Sequence, residues 1–445
     1  MGFCGTSLCA VASRGAKPRR SGLTPRSVRA NLFLPDQVTE HPFPGAHPMK
    51  IDRDDIVLAA GVRTAFGTYG GSLKDLSAND LGVVAAKAAV DRSGFAPDEI
   101  DHVVFGNALQ TSADAIYCAR HVGLKAGLPE SVPAVTVNRL CGSGFESIIQ
   151  GARQILTGES EVVLAGGTES MSQAPHTIRG ARWGIPLGQS KMSDYLWEAL
   201  YDPYAGFSMA ETAENLAEEY GLSREEVDDY AFQSQRRTRE AEEGGRFADE
   251  IVPVELADRK GHRVFDQDEH PRPQTTTEIL AGLKPYFKKD GLVTAGNASG
   301  IVDGAAAVIV TTAARAGKAG APVLGRLLGW GIAGCNPKIM GIGPAPSTRK
   351  ALDDVGLDLD DLDLYEVNEA FAPQTVAVMK ELGLDHEKLN VNGGAIAIGH
   401  PLAATGTRVT ITLLQELKRR GGGKGFASAC IGGGQGATVV VETVD

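Results

Sequence analysis

The segment VNRLCGSGFESIIQGARQILTGESEVVLAGG (137–167) predicts a strand end, a glycine turn, a helix and a second strand. Between the turn and the second strand, apolar residues from Phe145 to Leu156 recur with a period near 3.6 residues, which predicts a helix with one buried face. Strand, helix and strand at this spacing are typical of βαβ units and a mostly parallel sheet. The segment therefore indicates an α/β fold.

Short apolar runs predict further strands on both sides of this segment. The candidate strands are 55–60, 102–105, 133–138, 162–165, 362–367, 389–392, 425–430 and 437–442. The stretch GFAPDEIDHVVFGNA (94–108) resembles GLDLDDLDLYEVNEA (356–370) at a shift of 262 residues. Two related α/β halves explain this repeat. The alternative is a chance similarity in the turn and strand signals of two unrelated βαβ units.

The middle of the chain has a different composition. Residues 170–301 are more polar, and Ser223 followed by Glu226 is a capping-box signal that predicts a solvated surface helix. We therefore predict an inserted loop domain over 170–301. The N-terminal half would comprise 49–169 and 302–320, and the C-terminal half 321–445.

The overall composition excludes several classes of protein. Of 445 residues, 42% are hydrophobic and 22% charged, which rules out wholesale disorder. The net charge of −11 argues against a nucleic-acid-binding surface. Six cysteines without a CxxC pair do not form a disulfide framework, and the sequence lacks the long apolar run of a membrane span.

Residues 1–48 differ from the rest. They contain six Lys and Arg and two acids, a net charge of +4 that leaves −15 for the remaining chain. One interpretation is a transit peptide, which would place the protein in the mitochondrial matrix. The other is an early start with Met49 as the true beginning, in a cytoplasmic protein of bacterial type. Many prolines and the lack of a clean amphipathic helix favour the second interpretation, and we expect the segment to be disordered and outside the fold.

Cys141 is the first candidate for chemistry. A strand ends just before it, and the glycine turn after it leads directly into the predicted helix. Backbone N–H groups and the positive end of the helix dipole lower the pKa of a thiol at such a position, which suits a nucleophile. The alternative is an ordinary small buried cysteine.

Three further polar residues lie in similar surroundings. His400 (NGGAIAIGHPLAATG, 392–406) could act as a base or oxyanion donor, Cys430 (SACIGGGQG, 428–436) is a second thiol, and Asn368 (YEVNEAFAPQ, 365–374) could hold a water. Each alone is explained by packing or a turn. Together they lie at the ends of candidate strands, where open α/β sheets bind ligands.

The motifs around these residues resemble those of the thiolase family. The resemblance rests on VNRLCGSG (137–144), GGTESMSQAPH (166–176), TAGNASGIVDGAA (294–306), NEAFAPQ (368–374), NGGAIAIGHP (392–401) and CIGGGQG (430–436). It implies the thiolase fold, with two related βαβαβαββ halves packed as α-β-α-β-α layers and an inserted loop domain. SADAIYCARHVGLKAGLP (112–129) and DEHPRPQTT (268–276) most resemble the mitochondrial-type 3-ketoacyl-CoA thiolases, which are acetyl-CoA acyltransferases.

The resemblance implies a role for each candidate. Cys141 would attack the 3-keto carbonyl and carry an acyl thioester. His400 would activate that thiol and, with a water held by Asn368, form one oxyanion hole. Cys430 would move the proton to and from the acetyl-CoA α-carbon. The backbone N–H groups of Cys141 and Gly432 would form the second oxyanion hole.

The resemblance also implies the binding site. The expected substrate and CoA contacts are Arg272, Thr275, Ser299, Met209, Met340 and Phe371. Arg272 and Thr275 would reach the nucleotide end of CoA, Ser299 the pantetheine arm, and Met209 and Met340 the acyl group, unless the methionines are plain packing residues. CoA would be a substrate, with no permanently bound cofactor and no metal. The inserted segment would join dimers into a homotetramer.

The expected reaction is CoA-dependent cleavage of 3-ketoacyl-CoA to acetyl-CoA and a shortened acyl-CoA, as in fatty acid β-oxidation. The alternative is biosynthetic formation of acetoacetyl-CoA at the same site. Ser208 stands where short-chain biosynthetic thiolases have His, which favours the first, and Ala403 replaces a common Gly with little expected effect. Cys430 argues against a ketosynthase, and Cys141 with His400 argues against a non-catalytic relative.

Overall fold

The computed structural model describes residues 55–188, 191–258 and 261–444, so the predicted leader over 1–48 lies outside the described residues. The strands are β1 (Ile56–Thr64), β2 (Gly67–Thr68), β3 (His102–Gly106), β4 (Ala134–Val137), β5 (Val162–Ser170), β6 (His176–Thr177), β7 (Ser193–Asp194), β8 (Tyr201–Asp202), β9 (Phe207–Ser208), β10 (Ile251–Val252), β11 (Val254–Asp258), β12 (Gly261–Phe265), β13 (Val302–Thr312), β14 (Val323–Gly334), β15 (Leu364–Val367), β16 (Lys424–Ile431) and β17 (Gln435–Glu442). The helices are α1 (Ala78–Arg92), α2 (Cys118–Lys125), α3 (Ser143–Thr157), α4 (Tyr195–Ala199), α5 (Met209–Glu219), α6 (Arg224–Glu243), α7 (Thr277–Ala281), α8 (Ala313–Ala319), α9 (Pro344–Val355), α10 (Ala372–Leu382), α11 (Ala395–Ile398) and α12 (Leu402–Arg419).

One mixed sheet runs through the molecule in the order β15-β16-β17-β14-β1-β13-β5-β3-β4. Along this path β3 is parallel to β4 and β5, and β15 is parallel to β16. The other neighbours are antiparallel. The expectation of a mostly parallel sheet is therefore wrong. A glycine turn over 432–434 joins β16 to β17, and strands joined by so short a turn must run antiparallel.

The sheet is built from two similar halves, which meet where β1 pairs with β14. The internal repeat has a structural counterpart, because a 3-10 turn precedes β3 at Pro97–Glu99 and β15 at Leu359–Asp361. Asp101 then accepts hydrogen bonds from the N–H groups at the start of β5, and Asp363 accepts one from Lys424 at the start of β16. The same aspartate thus anchors the same neighbouring strand in both halves.

Seven of the eight strands predicted from the sequence are present in the structure, and two central strands of the sheet were not predicted. The candidate at 389–392 forms only an isolated bridge, from Leu389 to Tyr365. The missed strands β13 and β14 are rich in Ala and Gly, which have low strand propensity. Their small residues are needed for packing, since a Cβ at Gly331 would collide with the backbone of Ser347 in α9.

The core is layered. Helices α1 and α2 cover one face of the N-terminal half. Helices α3 and α12 form a central layer that packs against strands of both halves. Helices α9 and α10, with residues of α5 and α6, cover the outer face of the C-terminal half. The α-β-α-β-α arrangement implied by the resemblance is therefore confirmed.

The two central helices touch at their first turns with no space between their backbones. A Cβ at Gly144 would lie 2.5 Å from the backbone N of Thr407, and one at Gly406 would collide with the backbone N of Phe145. The Thr407 hydroxyl donates a 3.2 Å hydrogen bond to the Gly144 carbonyl. The residues that immediately precede α3 and α12 are therefore brought to one place.

Between β5 and β13 the chain leaves the sheet, apart from β10, which pairs with β1, and forms short hairpins and several helices. Arg63 of β1, fully buried, holds this excursion through a bidentate ion pair with Asp268 at 2.7 and 2.8 Å and a bond to Glu250. Helix α6 is N-capped by Ser223 as predicted, but it is not a solvated helix. One face is buried, because it packs on the C-terminal half.

Within the described residues, none of the helices is long and apolar enough to cross a membrane. The same residues contain no cluster of His, Cys, Asp and Glu arranged to hold a metal ion.

We expect Gly406→Ala to destabilise the fold. Alanine in a helix normally adds about 0.5–1 kcal/mol of stability over glycine, but here the methyl group meets the backbone of α3, and overpacking costs about 1–3 kcal/mol. Gly317→Ala is the matched control, since Gly317 also lies inside a helix but faces open space. Calorimetry at one protein concentration should give a lower Tm for the first variant and an equal or higher Tm for the second. Equal Tm values would contradict the close contact.

Candidate active site

Cys141 lies in the 3-10 turn Leu140–Gly142, between β4 and α3. The hydroxyl of Ser143 holds this turn by donating to the Leu140 carbonyl at 2.7 Å and accepting from the Arg139 N–H at 2.9 Å. A Cβ at Gly142 would lie 2.5 Å from Cδ1 of Ile431, so the turn packs directly against the end of β16. The thiol is therefore held at the N-terminus of α3, next to the strand that carries Cys430.

Two backbone N–H groups, those of Cys141 and Gly432, contact the Cys141 sulfur and favour its thiolate form. Burial has the larger effect and raises the pKa of the Cys141 thiol to about 11. The lowered pKa expected from the helix N-terminus is therefore wrong, because desolvation penalises the thiolate more than the N–H groups stabilise it. The resting thiol is neutral, and its reaction needs a base.

His400 lies between α11 and α12 and is buried. Its Nδ1 is 2.6 Å from the hydroxyl of Thr405, which itself donates to the Pro401 carbonyl, so Nδ1–H must be the donor and the hydroxyl the acceptor. Nε2 is then an unprotonated acceptor, without a partner among the described residues. Burial and the charge of Arg408 lower the pKa of His400 to about 3.

Asn368 follows β15 and is almost fully buried. Its backbone N–H donates to the Ser428 carbonyl at 2.8 Å, which fixes the residue beside β16. Both polar atoms of its side-chain amide lack a partner in the described part of the chain. Because buried amides normally form hydrogen bonds, this side chain is suited to hold a water or a substrate oxygen.

Cys430 lies near the end of β16 and is fully buried. Burial raises its pKa well above the usual value, and the sulfurs of Cys141 and Cys335 act in the same direction through their charges. Met340 packs against Cys430, with Met209 and Phe371 at the edge of the same cluster. The two thiols are therefore neighbours in a site of low polarity.

A cavity of about 340 Å³ opens beside His400. Its apolar lining residues are Met171, Leu196, Trp197, Leu200, Met209, Phe287, Ile301, Phe371 and Leu402. Trp197 and Phe287 stack with their ring centroids 6.5 Å apart. Ser208, Ser299 and His400 supply polar groups. A mostly apolar pocket with a few convergent polar groups is typical of small-molecule sites.

Of the sequence-predicted site residues, His400, Met209, Ser299 and Phe371 line the cavity, and Cys141, Cys430 and Met340 pack in clusters that contain residues of its lining. Arg272 and Thr275 do not line the cavity; they form a turn in which the Thr275 N–H donates to the Arg272 carbonyl. Arg272 is exposed and neighbours His270, whose pKa is lowered by burial and by the arginine charge. The His270 ring packs on Gly300, which does line the cavity.

Sequence reasoning missed several residues that support the site. Glu169 lies within the motif GGTESMSQAPH (166–176), but no role for its carboxylate was predicted from the sequence. Burial raises the pKa of Glu169 to about 7, although the N–H groups of Leu109, Ala108 and Ala403 act in the opposite direction. Thr405 orients His400. A hydroxyl one helical turn after the histidine was the available signal for Thr405, whereas the partners of Glu169 are distant in sequence.

This arrangement can support nucleophilic acyl chemistry. An imidazole with a free Nε2 can take a proton from a neutral thiol, and the two N–H groups at the Cys141 sulfur are donors beside the atom that would attack a carbonyl. A second thiol within the same low-polarity site can exchange a proton with a bound molecule.

Comparison with known proteins gives consistent matches over most of the chain. The family model for the thiolase N-terminal domain matches residues 56–314, and that for the thiolase C-terminal domain matches 321–443. The mitochondrial 3-ketoacyl-CoA thiolase of Homo sapiens is 54% identical over 389 residues, covering 87% of this chain and 98% of that protein. An acetyl-CoA acetyltransferase of Pseudomonas aeruginosa is 49% identical, covering 87% and 99%. The crystal structure of human mitochondrial 3-ketoacyl-CoA thiolase in complex with CoA has a TM-score of 0.85 at 52% identity, covering 88% and 98%.

The depressed pKa of His400 predicts acid sensitivity. In the folded chain the pKa is about 3, whereas an unfolded histidine titrates near 6.5. The unfolded state therefore binds the extra proton between these values, so the stability contributed by neutral His400 is complete above pH 6.5 and is lost as the pH falls towards 3. At pH 5 the loss is about 2 kcal/mol, from roughly 1.4 kcal/mol per pH unit.

His400→Asn should therefore lose about 2 kcal/mol less stability than the wild type between pH 7 and pH 5. Urea unfolding at both pH values measures this difference. His176→Asn replaces an exposed histidine and should follow the wild-type pH dependence. If His400→Asn did the same, His400 would not be held neutral in the folded protein.

Proposed function

The chain belongs to the thiolase family, and we propose that it is a 3-ketoacyl-CoA thiolase, an acyltransferase that cleaves 3-ketoacyl-CoA with free CoA in fatty acid β-oxidation. The observation that carries this proposal is that the Cys141 and Cys430 thiols pack against residues that line an apolar cavity, whose wall includes the imidazole of His400, and that the unpartnered amide of Asn368 lies beside the strand that carries Cys430. The 54% identity to the human mitochondrial enzyme named 3-ketoacyl-CoA thiolase supports the same reaction.

In the first half-reaction, we propose that Nε2 of His400 takes the thiol proton of Cys141, whose sulfur attacks C3 of the substrate. The C3 oxygen becomes an oxyanion, stabilised by hydrogen bonds from protonated His400 and a water held by Asn368. The C2–C3 bond then breaks, and its electron pair passes to the enolate of acetyl-CoA. The N–H groups of Cys141 and Gly432 stabilise that thioester enolate, and the thiol of Cys430 protonates C2. Acetyl-CoA leaves, and the acyl group remains on Cys141 as a thioester.

In the second half-reaction, the Cys430 thiolate takes the proton of incoming CoA. The CoA thiolate attacks the acyl thioester, a tetrahedral intermediate forms, and the Cys141 thiolate leaves and takes back the proton that His400 received in the first half-reaction. The products are the shortened acyl-CoA and an enzyme ready for another cycle. The burial that raises the pKa of both cysteines supports these roles, since a neutral thiol can donate a proton that a water-exposed thiolate could not.

We propose that the substrate binds in this cavity. We propose that Ser299 meets the pantetheine arm, that Met209, Phe371 and the neighbouring Met340 border the acyl group, and that Arg272 and Thr275 meet the nucleotide end outside the cavity. We also propose that the chain is divided into an inserted loop domain over 170–301, which supplies many of the cavity-lining residues, and two halves, 49–169 with 302–320 and 321–445.

The assembly and location are also proposed. The inserted segment exposes large apolar side chains, Ile178, Trp183, Ile185, Leu187 and Met192, which suits contacts in a homotetramer built as a dimer of dimers. A transit peptide in residues 1–48 would direct the enzyme to the mitochondrial matrix, and a start at Met49 would leave it in a bacterial-type cytoplasm. N-terminal sequencing of the native protein distinguishes these two locations.

Cys141→Ala should abolish thiolysis. With acetoacetyl-CoA and CoA as substrates, kcat measured from the decay of enolate absorbance should fall by more than about 10³-fold, because no acyl thioester can form. Cys118→Ala is the control, since Cys118 is buried in α2 in a core cluster that contains none of the cavity-lining residues, whereas Cys141 packs against several of them. Full turnover by the Cys141 variant would refute the nucleophile assignment.

Ser208→His should shift the substrate preference towards short acyl chains. Ser208 lines the cavity, so the larger imidazole takes space from the acyl group. The ratio of kcat/KM for a C8 substrate to that for a C4 substrate should fall about tenfold, because the lost apolar contacts are worth about 1–3 kcal/mol. Ser223→His is matched, since Ser223 caps α6 as Ser208 caps α5 but lies outside this cavity. An unchanged ratio in the Ser208 variant would show that the acyl chain does not pass this position.

A further inference from the structure

The loop that carries His400 is held on both sides by buried carboxylates, one from each half of the molecule. On the N-terminal side, the backbone N–H of Ile396 donates to Oε2 of Glu369 at 3.1 Å. On the C-terminal side, the N–H of Ala403 donates to Oε2 of Glu169 at 3.2 Å. Both glutamates are almost completely buried. The loop is thus fixed four residues before and three residues after the histidine.

Glu169 connects the start of α12 to the N-terminal half. Its other oxygen accepts hydrogen bonds from the side-chain amide of Asn107 and the backbone N–H of Leu109, both at 3.0 Å, and Oε2 also accepts from Ala108 at 3.1 Å. These donors belong to the segment that follows β3. The carboxylate therefore holds two distant segments in one geometry and is fully supplied with donors.

Glu369 does the same within the C-terminal half. It accepts hydrogen bonds from the hydroxyls of Tyr230 and Ser234 in α6, at 2.9 and 2.6 Å, and from the side-chain amide of Asn390 at 2.9 Å. A Cβ at Gly394 would lie 2.5 Å from Oε2, so the loop approaches the carboxylate as closely as its backbone allows. The inserted helix α6 is thereby linked to the histidine loop.

Between these anchors, the loop has a further contact with the inserted segment, because Nδ1 of His270 lies 2.7 Å from the Ala397 carbonyl. Gly399 has a φ of 102°, which side chains other than glycine rarely adopt. The His400 N–H donates to the Gly300 carbonyl at 3.0 Å, and its ring bonds to Thr405, which lies on α12 and moves with it. The position of the imidazole therefore depends on where α11 and α12 begin.

We propose that Glu169 and Glu369 are positioning residues for His400, which clamp the two flanks of its loop so that Nε2 faces the Cys141 thiol. This role rests on the proposed function of His400 as the base. A carboxylate is needed because every partner is a donor. A glutamine would direct its NH₂ group at some of these donors, and it would break the clamp without changing the size of the side chain.

The test compares Glu169→Gln and Glu369→Gln with the wild type in the full chain. Acetyl-CoA is used to titrate the fraction of molecules that form an acyl-enzyme, and kcat for acetoacetyl-CoA cleavage is expressed per titrated site. Because small misplacement of a catalytic group can cost up to about 10²-fold, kcat per site should fall about 10- to 100-fold, with KM for CoA within about threefold of wild type. A purely structural role would lower only the number of titrated sites.

Glu214→Gln is the matched control. Glu214 is equally buried and accepts hydrogen bonds from the backbone N–H groups of Leu292 and Val293, but it does not touch the histidine loop. It should lose stability and keep kcat per site within about threefold of wild type. If both clamp variants also kept kcat per site within threefold, the proposal would be overturned.

Two further measurements keep the test decisive. If the Gln variants do not fold, Glu169→Asp and Glu369→Asp retain the charge but shorten the reach, and their kcat per site should fall at least about threefold; unchanged values contradict the clamp.

If the wild type fails to cleave acetoacetyl-CoA, the proposed function fails, and alkylation of Cys141 by iodoacetamide then replaces turnover. Glu369→Gln should slow this alkylation about tenfold, Glu214→Gln should not, and equal rates would overturn the proposal.

Discussion

The contact between the first turns of α3 and α12 is the constraint on which the site depends. Gly144 and Gly406 lie at equivalent positions in the two helices, 262 residues apart, and each leaves no room for a methyl group against the backbone of the other helix. Helices that touch at their first turns must bring together the residues that precede them. Cys141 precedes α3 and His400 precedes α12, so the contact between the helices brings together the two segments that carry these reactive groups.

Burial then determines how this pair can react. It raises the pKa of the thiol and lowers that of the imidazole, so both groups are neutral at rest even though the thiol lies at a helix N-terminus. Charge appears only when the proton moves and a carbonyl oxygen becomes negative. The N–H groups of Cys141 and Gly432 already lie beside the sulfur at rest, and a fixed donor in a site of low polarity stabilises developing charge more than a mobile one.

The candidate site residues could be proposed from the sequence for a physical reason. Cys141, His400 and Cys430 are polar residues within two positions of a glycine, and Asn368 directly follows a strand, so each local pattern is visible without the fold. By contrast, β13 contains Asp, Gly and Ala over 303–307 and β14 contains four glycines, and these residues of low strand propensity make both strands hard to predict locally. The roles of Glu169 and Glu369 were not predicted for another reason, since they depend on hydrogen-bond donors distant in sequence. Helix α6 was misjudged because its buried face is largely polar, with Tyr230 and Ser234 bonded to Glu369.

A buried ion pair links the inserted segment to the reactive histidine. Burying Arg63 with Asp268 and Glu250 costs desolvation energy that an apolar cluster would avoid, so stability alone does not explain it. Its effect on geometry gives an explanation. The bidentate pair fixes Asp268, which lies two residues before His270. The Nδ1–H of His270 donates to the Ala397 carbonyl at 2.7 Å. The His270 ring packs on Gly300, and the Gly300 carbonyl accepts the N–H of His400. The first strand of the sheet therefore sets the position of the histidine through the same segment that walls the cavity, so that substrate binding and proton transfer share one rigid frame.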